Sequence, residues 1–276
     1  MSERISRRWL FVAGLAVTAV YLIPVYWMIN TSFKRAGDIF AVPPDLIPMP
    51  PTIASYVQAV FSDADIARGL ANSAVIAIGT TVITLVVALP AAYGLARLRI
   101  RFVPAILMLF LIVQMVPSVN LAFPMFVLFS SVGLVNSYAG LIIANCSLAI
   151  PLAVTILRPY FLNVPTEIVE AAKIDGCNEL TAFWRVAVPI STPGVITVAV
   201  VSFLAAWGEF VFGLALATDE KYQPITVVLA SLTNAFGTRW NDLMAVSAVI
   251  ALPVIVAFVF LQRYIVAGLT EGATKS

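Results

Sequence analysis

Histidine is absent from this 276-residue chain, cysteine occurs only at Cys146 and Cys177, and charged residues make up 11% of the whole. The missing imidazole removes the commonest metal ligand and the usual base of a Ser-His hydrolytic pair. Cys146 lies in an apolar run and Cys177 in a charged loop, which argues against a disulfide framework and against a thiolate metal site. No metal site is expected. The net charge of +2 is small and the basic residues are scattered, so no nucleic-acid surface is expected either. What the chain has in excess is apolar: 61% hydrophobic residues and a mean hydropathy of +1.00 lie far outside the range of soluble domains. A soluble domain of this length keeps a charged surface, whereas here apolar runs of membrane-spanning length recur. Membrane lipid is the implied solvent.

Crossing the hydrocarbon core takes roughly 20 apolar residues, so the charges bracket the spans. Nothing charged lies between Arg8 and Lys34 or between Arg68 and Arg97, which places spans over residues 9–29 and 70–95. From Phe102 to Leu157 there is again no charge, room for two crossings over 103–128 and 138–158. Ser130, Ser131, Gly133, Asn136 and Ser137 supply the turn between them. A fifth span over 194–216 contains Glu209, and a sixth runs over 243–262. The expected fold is an all-α integral membrane protein of six transmembrane helices, forming a single transmembrane domain over 1–276. The first span follows Arg4, Arg7 and Arg8 and ends in Tyr26, Trp27, Met28 and Ile29, which suits a retained anchor better than a cleavable signal ending at small residues. With the amino terminus inside, Arg97, Arg99, Arg101, Arg158, Lys173, Arg185, Arg263 and Lys275 also fall inside. Only Lys34, Arg35, Arg68, Lys221 and Arg239 fall outside. The positive-inside rule then puts both termini in the cytoplasm.

The first outer loop, Thr31 to Gly69, is extended in its proline-rich first half, with a short helix expected around Tyr56 to Phe61. No internal repeat of the secondary-transporter kind is present. The cytoplasmic stretch 163–193 reads as helix, turn, helix. Pro165, Thr166 and Glu167 suit a helix start, and Asp175-Gly176 suits its stop. Asn178 caps the second helix and Pro189 ends it. Leu180, Phe183, Trp184 and Ala187 form an apolar stripe on that helix. Two readings stay open for the stripe: a knob that plugs into a soluble partner, or a hairpin packed on its own bundle.

The order Glu170-Ala171-Ala172, then Asp175-Gly176, then Phe183 and Val188-Pro189 resembles the EAA loop of binding-protein-dependent ABC importer permeases. Cys177 departs from the alanine common there. Ser32-Phe33-Lys34, Asn72-Ser73, Ala91 to Arg97 and the tail Gly268 to Lys275 resemble the carbohydrate branch, in particular the second permease subunit of maltose-type systems. The resemblance implies a type I importer fold in a bacterial or archaeal plasma membrane, with import of a sugar or related solute. It implies that Glu170, Ala171, Ala172, Asp175, Gly176, Phe183 and Pro189 couple to an ATPase dimer, and that Thr270, Gly272 and Lys275 form a tail contact. The implied partners are a second permease subunit in a heterodimer, that ATPase dimer, which carries ATP and Mg, and an extracytoplasmic solute-binding protein.

This chain is expected to bind no cofactor and to be no enzyme, since Gly272 to Ser276 lacks the full spacing of a phosphate loop. Glu209 is the one charge well inside an expected span, and an intramembrane acid is a functional candidate by default. Beside Trp207 it offers an acceptor and a stacking face for a sugar; packing within the bundle is the competing reading. Gln114, Asn120 and Asn145 are polar positions that could line the same path or bond between helices. A secondary transporter would need coupling ions or protons and usually shows intramembrane acids or histidines with repeated halves, of which only Glu209 is found. A membrane scaffold would not need the Glu170 to Pro189 loop.

Overall fold

The computed structural model describes residues 2–234 and 237–273. Its long helices are α1 (Ser2–Ser32), α2 (Ala64–Arg97), α3 (Val103–Gln114), α4 (Ser118–Ser131) and α5 (Tyr138–Leu162). Then come α6 (Thr166–Ile174), α7 (Glu179–Ala182), α8 (Val188–Ile190), α9 (Thr192–Trp207), α10 (Val211–Leu216), α11 (Ile225–Ser231) and α12 (Trp240–Ala273). A two-residue antiparallel pairing of Thr233–Asn234 with Gly237–Thr238 is the one sheet among the described residues. Among the described residues four helices are long and apolar enough to cross a membrane, and up to six crossings result if each of two bent pairs is one span. Helix is the form an apolar chain takes in lipid, because each backbone N–H then finds its carbonyl within the segment.

Two of the expected spans are not single helices. The third, expected over 103–128, is α3 and α4 meeting at 95°. Pro117 has no N–H to donate and disfavours helical backbone at Val116, so α3 stops and the chain restarts from the extended Pro117. The fifth, expected over 194–216, is α9 up to Trp207, a break at Gly208 to Phe210, and the short α10. Pro189 does not end the second loop helix. The chain widens into a π-type turn over Phe183–Ala187 and continues helically through Pro189 to Ile190, before an 80° bend into α9. Near Tyr56–Phe61 the expected helix is present as one wide turn.

The chain forms two compact units: residues up to Ala67 with Leu229–Leu252, and Arg68–Val228 with the chain from Pro253 onward. In the first, α1 leaves most of its apolar side chains uncovered. Its last turns hold the proline-rich loop, with Tyr26 donating to the Leu46 carbonyl and Asn30 Nδ2 to Asp45 O at 3.2 Å. Asn241 Nδ2 reaches Ser55 Oγ at 2.8 Å, fastening the start of α12 to the same loop.

The second unit has its core where α2 and α9 meet α5. Ala88, Leu89, Ala92 and Leu95 of α2 pack with Ala153, Val154, Leu157 and Phe161 of α5 and with Val198 of α9. Small residues let backbones approach, which matters in lipid, where packing rather than water exclusion holds helices together. A Cβ on Gly79 would stand 2.5 Å from Ile142, and one on Gly194 2.5 Å from the Tyr160 ring. A second cluster joins Phe129 of α4, Leu141 and Ala144 of α5, and Phe212 and Leu216 of α10.

Candidate functional site

The 163–193 loop is built by local capping. Helix α6 starts at Pro165, with Glu167 in its first turn and Lys173 in its last, both favourable to the helix dipole. Gly176, at φ +93°, closes it. Its N–H donates to Lys173 O at 3.1 Å, and Cys177 N donates to Ala172 O at 3.0 Å, the paired bonds of a Schellman stop. Asn178 then accepts from Thr181 N at 2.8 Å and starts α7. Lys173 and Glu179 form an exposed ion pair across the turn, and that hydrogen bond raises the Lys173 pKa above the ordinary lysine value.

The apolar stripe divides between two surroundings. Val169 packs with Val164 and Ala182. Phe183 is buried in the chain's own core, with ring centroids 4.9 Å from Tyr93 and 6.1 Å from Phe161. Phe183 therefore faces the bundle, as one of the two readings of the stripe requires, and is not part of the outward surface. That surface consists of Glu170, Ala171, Asp175, Gly176 and the exposed apolar Ile168, Ile174, Leu180 and Trp184; Ile174 is 87% exposed. Ala172 is half-buried at its edge, and Pro189 is exposed on α8. Space around Gly176 is open, with nothing within 4 Å of an added Cβ.

Arg97, the last residue of α2, holds this loop to the bundle. It donates to Thr166 Oγ1 at 3.1 Å and to the Val164 carbonyl, so it grips the entry to α6, while Arg158 Nε donates to Leu95 O at 3.1 Å. The sequence shows a cation at a helix C-terminus, a favourable place for it, but its partner lies 69 positions away and no local pattern reveals it.

The residues expected along a path are scattered. Trp207 is buried with its ring stacked on Phe203 at 5.8 Å. Glu209 sits in the break after α9. Oε1 accepts from Phe212 N at 2.8 Å and Oε2 from Gly213 N at 3.1 Å, so the carboxylate caps α10. Thr226 Oγ1 donates to Glu209 O at 2.7 Å and fixes the break itself. Gln114 and Asn145 donate to Phe110 O and Leu141 O in their own helices, and Asn120 is exposed near the start of α4. Of the tail residues, Thr270 and Gly272 fall in the last turns of α12, where only the backbone is described, and Lys275 lies outside the described residues.

The family described as "Binding-protein-dependent transport system inner membrane component" matches residues 85–271, a stretch holding the loop and both broken spans. The chain belongs to this family. As a member it is a multi-pass inner-membrane protein and the permease component of an ABC importer, a transporter subunit rather than a catalytic one. It is 32% identical to the sulfoquinovosyl glycerol transport system permease protein SmoH of Agrobacterium fabrum, over 96% of this chain and 93% of that one. Identity is 31% with the diacetylchitobiose uptake system permease protein DasC of Streptomyces coelicolor, over 98% of each. It is 33% with the trehalose transport system permease protein SugB of Mycobacterium tuberculosis, over the full length of both. The fold matches a chain of a bacterial ABC transporter involved in the import of the acidic polysaccharide alginate, with a TM-score of 0.81, 20% identity and coverage of 96% and 98%.

Proposed function

We propose that this permease forms half of a translocation path for a carbohydrate or related solute, and that the 163–193 loop docks on an ATPase dimer which binds ATP and Mg. A second, non-identical permease subunit supplies the other half, and an extracytoplasmic solute-binding protein delivers the solute. With α3 and α4 counted as one crossing and α9 with α10 as another, the chain makes roughly six, with residues 1–276 as one transmembrane domain and both termini cytoplasmic. The observation that carries the docking role is the outward face of α6 and its turn. Here α6, closed at its C-terminal end by Gly176, presents Glu170, Ala171, Ile174 and Asp175, and Leu180 of α7 stands beside them, all left uncovered by the chain itself. Exposed apolar groups on a rigid, charged frame suit a knob for a soluble partner. Support for the sugar comes from the relatives, whose names include sulfoquinovosyl glycerol, diacetylchitobiose and trehalose. Trp207, Glu209, Gln114, Asn120 and Asn145 remain the residues nearest a path, with Glu209 acting through the shape of the break. Thr270, Gly272 and Lys275 would contact the ATPase pair.

Co-purification with a second permease subunit and an ATP-binding-cassette ATPase, followed by uptake of a panel of labelled mono-, di- and oligosaccharides into vesicles supplied with the solute-binding protein, tests both parts. A complex that forms but takes up no sugar overturns the substrate class. An isolated chain that never associates with an ATPase overturns the docking role.

A further inference from the structure

The second helix is anchored to the rest of its unit at both ends by side chains that reach far along the sequence. Near its start Asn72, 2% exposed, has both amide donors and its carbonyl oxygen engaged by other elements. Its Nδ2 donates to Lys221 O at 3.0 Å and Gln223 O at 2.8 Å, and its Oδ1 accepts from Tyr138 OH at 2.7 Å. Ser73 Oγ next to it accepts from Ile225 N at 2.9 Å. The loop so held is pinned a second time, because Asn136 Oδ1 accepts from Asp219 N at 2.8 Å while its amide donates to Thr218. At the other end Arg97 grips Val164 and Thr166, the entry to the docking helix. Between these anchors an unbroken helix rises roughly 38 Å at about 1.5 Å per residue, enough to cross a bilayer. Pro90 removes one of its backbone hydrogen bonds, yet the helix there is flanked by the buried Leu89 and Ala92.

We propose that α2 is a connecting rod that carries displacement of the α6 docking helix to the loop 217–225 across the membrane, with Arg97 and Asn72 as its two positioning residues. This rests on the reading of α6 as the ATPase dock. A hydrogen-bonded helix resists compression along its axis, so a shift of α6 that pulls on Arg97 moves α2 as a body, and Asn72 hands that motion to the loop carbonyls. In this scheme the loop takes a different setting for each position of the docking helix, which is the physical content of coupling between distant sites. Neither residue touches solute in this scheme.

The test uses the assembled importer in lipid nanodiscs, with Cys146 and Cys177 replaced by alanine and a nitroxide on Glu220→Cys, an exposed loop position. Trapping the ATPase pair with ATP and orthovanadate is expected to change the nitroxide spectrum in the chain with Arg97 and Asn72 intact. Arg97→Ala and Asn72→Asp should each abolish the change while the ATPase stays bound, and Arg97→Lys, which keeps the charge on a single donor nitrogen, should restore part of it. Ser73→Ala supplies the outer-end arm if Asn72→Asp fails to insert, and should weaken the response. The double variant should lose no more than either single one, because a rod cut twice is cut once. A spectrum that does not respond with both residues intact, or a response that survives Arg97→Ala or Asn72→Asp, overturns the rod. So does loss of the ATPase from the Arg97→Ala complex, which would make Arg97 part of the dock. Failure of the docking reading shows differently, as no ATPase bound to the chain with both residues intact.

Discussion

Gly176 is the residue at which backbone chemistry and coupling meet. At φ +93° any L side chain is strained, by about 1–2 kcal/mol, too little to unfold a membrane bundle and enough to misplace the end of α6. Since nothing lies within 4 Å of a Cβ there, Gly176→Val acts through the backbone or through a docked partner, not through a clash inside this chain. That variant and Glu170→Lys should reach the membrane in normal amounts, bind the ATPase poorly and lose uptake, as measured by co-purification and transport; full activity in both would leave the loop a mere connector. Glu209 calls for the opposite result. As the cap of α10 its carboxylate holds two backbone N–H groups, so Glu209→Ala should lower thermal stability by about 0.5–2 kcal/mol while the ranking of transported solutes stays the same. A changed solute ranking at unchanged stability would instead put the carboxylate in the path.

The hairpin from α6 to α8 works as an element with two faces. Phe183→Ala removes a ring buried against Tyr93 and Phe161 and should cost about 3–5 kcal/mol, read as reduced abundance of the folded chain in the membrane. Trp184 is next in sequence yet 49% exposed, and Trp184→Ala should leave abundance unchanged and weaken ATPase binding. If the two variants gave the same loss of abundance, the split of the stripe into a buried and a docking face would be wrong. The division follows from helix geometry, since adjacent residues point about 100° apart around the axis. The wide turn over Phe183–Ala187 carries the chain on through Pro189 to the bend into α9.

At the scale of the whole molecule, ATP turnover should appear only in the complex: the purified chain should hydrolyse none, a result a phosphate-release assay decides directly. Deleting Glu271 to Ser276 should lower uptake without reducing insertion, whereas unchanged uptake would mark the tail as a frayed end. Composition, the charge-free intervals and the Glu170 to Pro189 spacing determined by themselves that this is a helical membrane protein with a loop of the importer-permease kind. A helix satisfies its backbone in lipid within the segment itself, so apolar length is legible without a fold. The caps at Gly176 and Asn178 were legible for the same reason, since each bonds within a few residues of itself. The breaks at Met115 to Pro117 and at Gly208 to Phe210 were not, because proline and glycine occur in membrane helices that stay straight as well as in helices that bend. Only the tertiary structure decided that Glu209 caps a short helix, that Phe183 turns inward, and that Asn72 and Arg97 hold chain lying far from them in sequence. The bonds of Asn72 and Arg97 join positions between 66 and 151 residues apart, and a sequence pattern, whose reach is a helical turn or a strand pair, has no term that connects them.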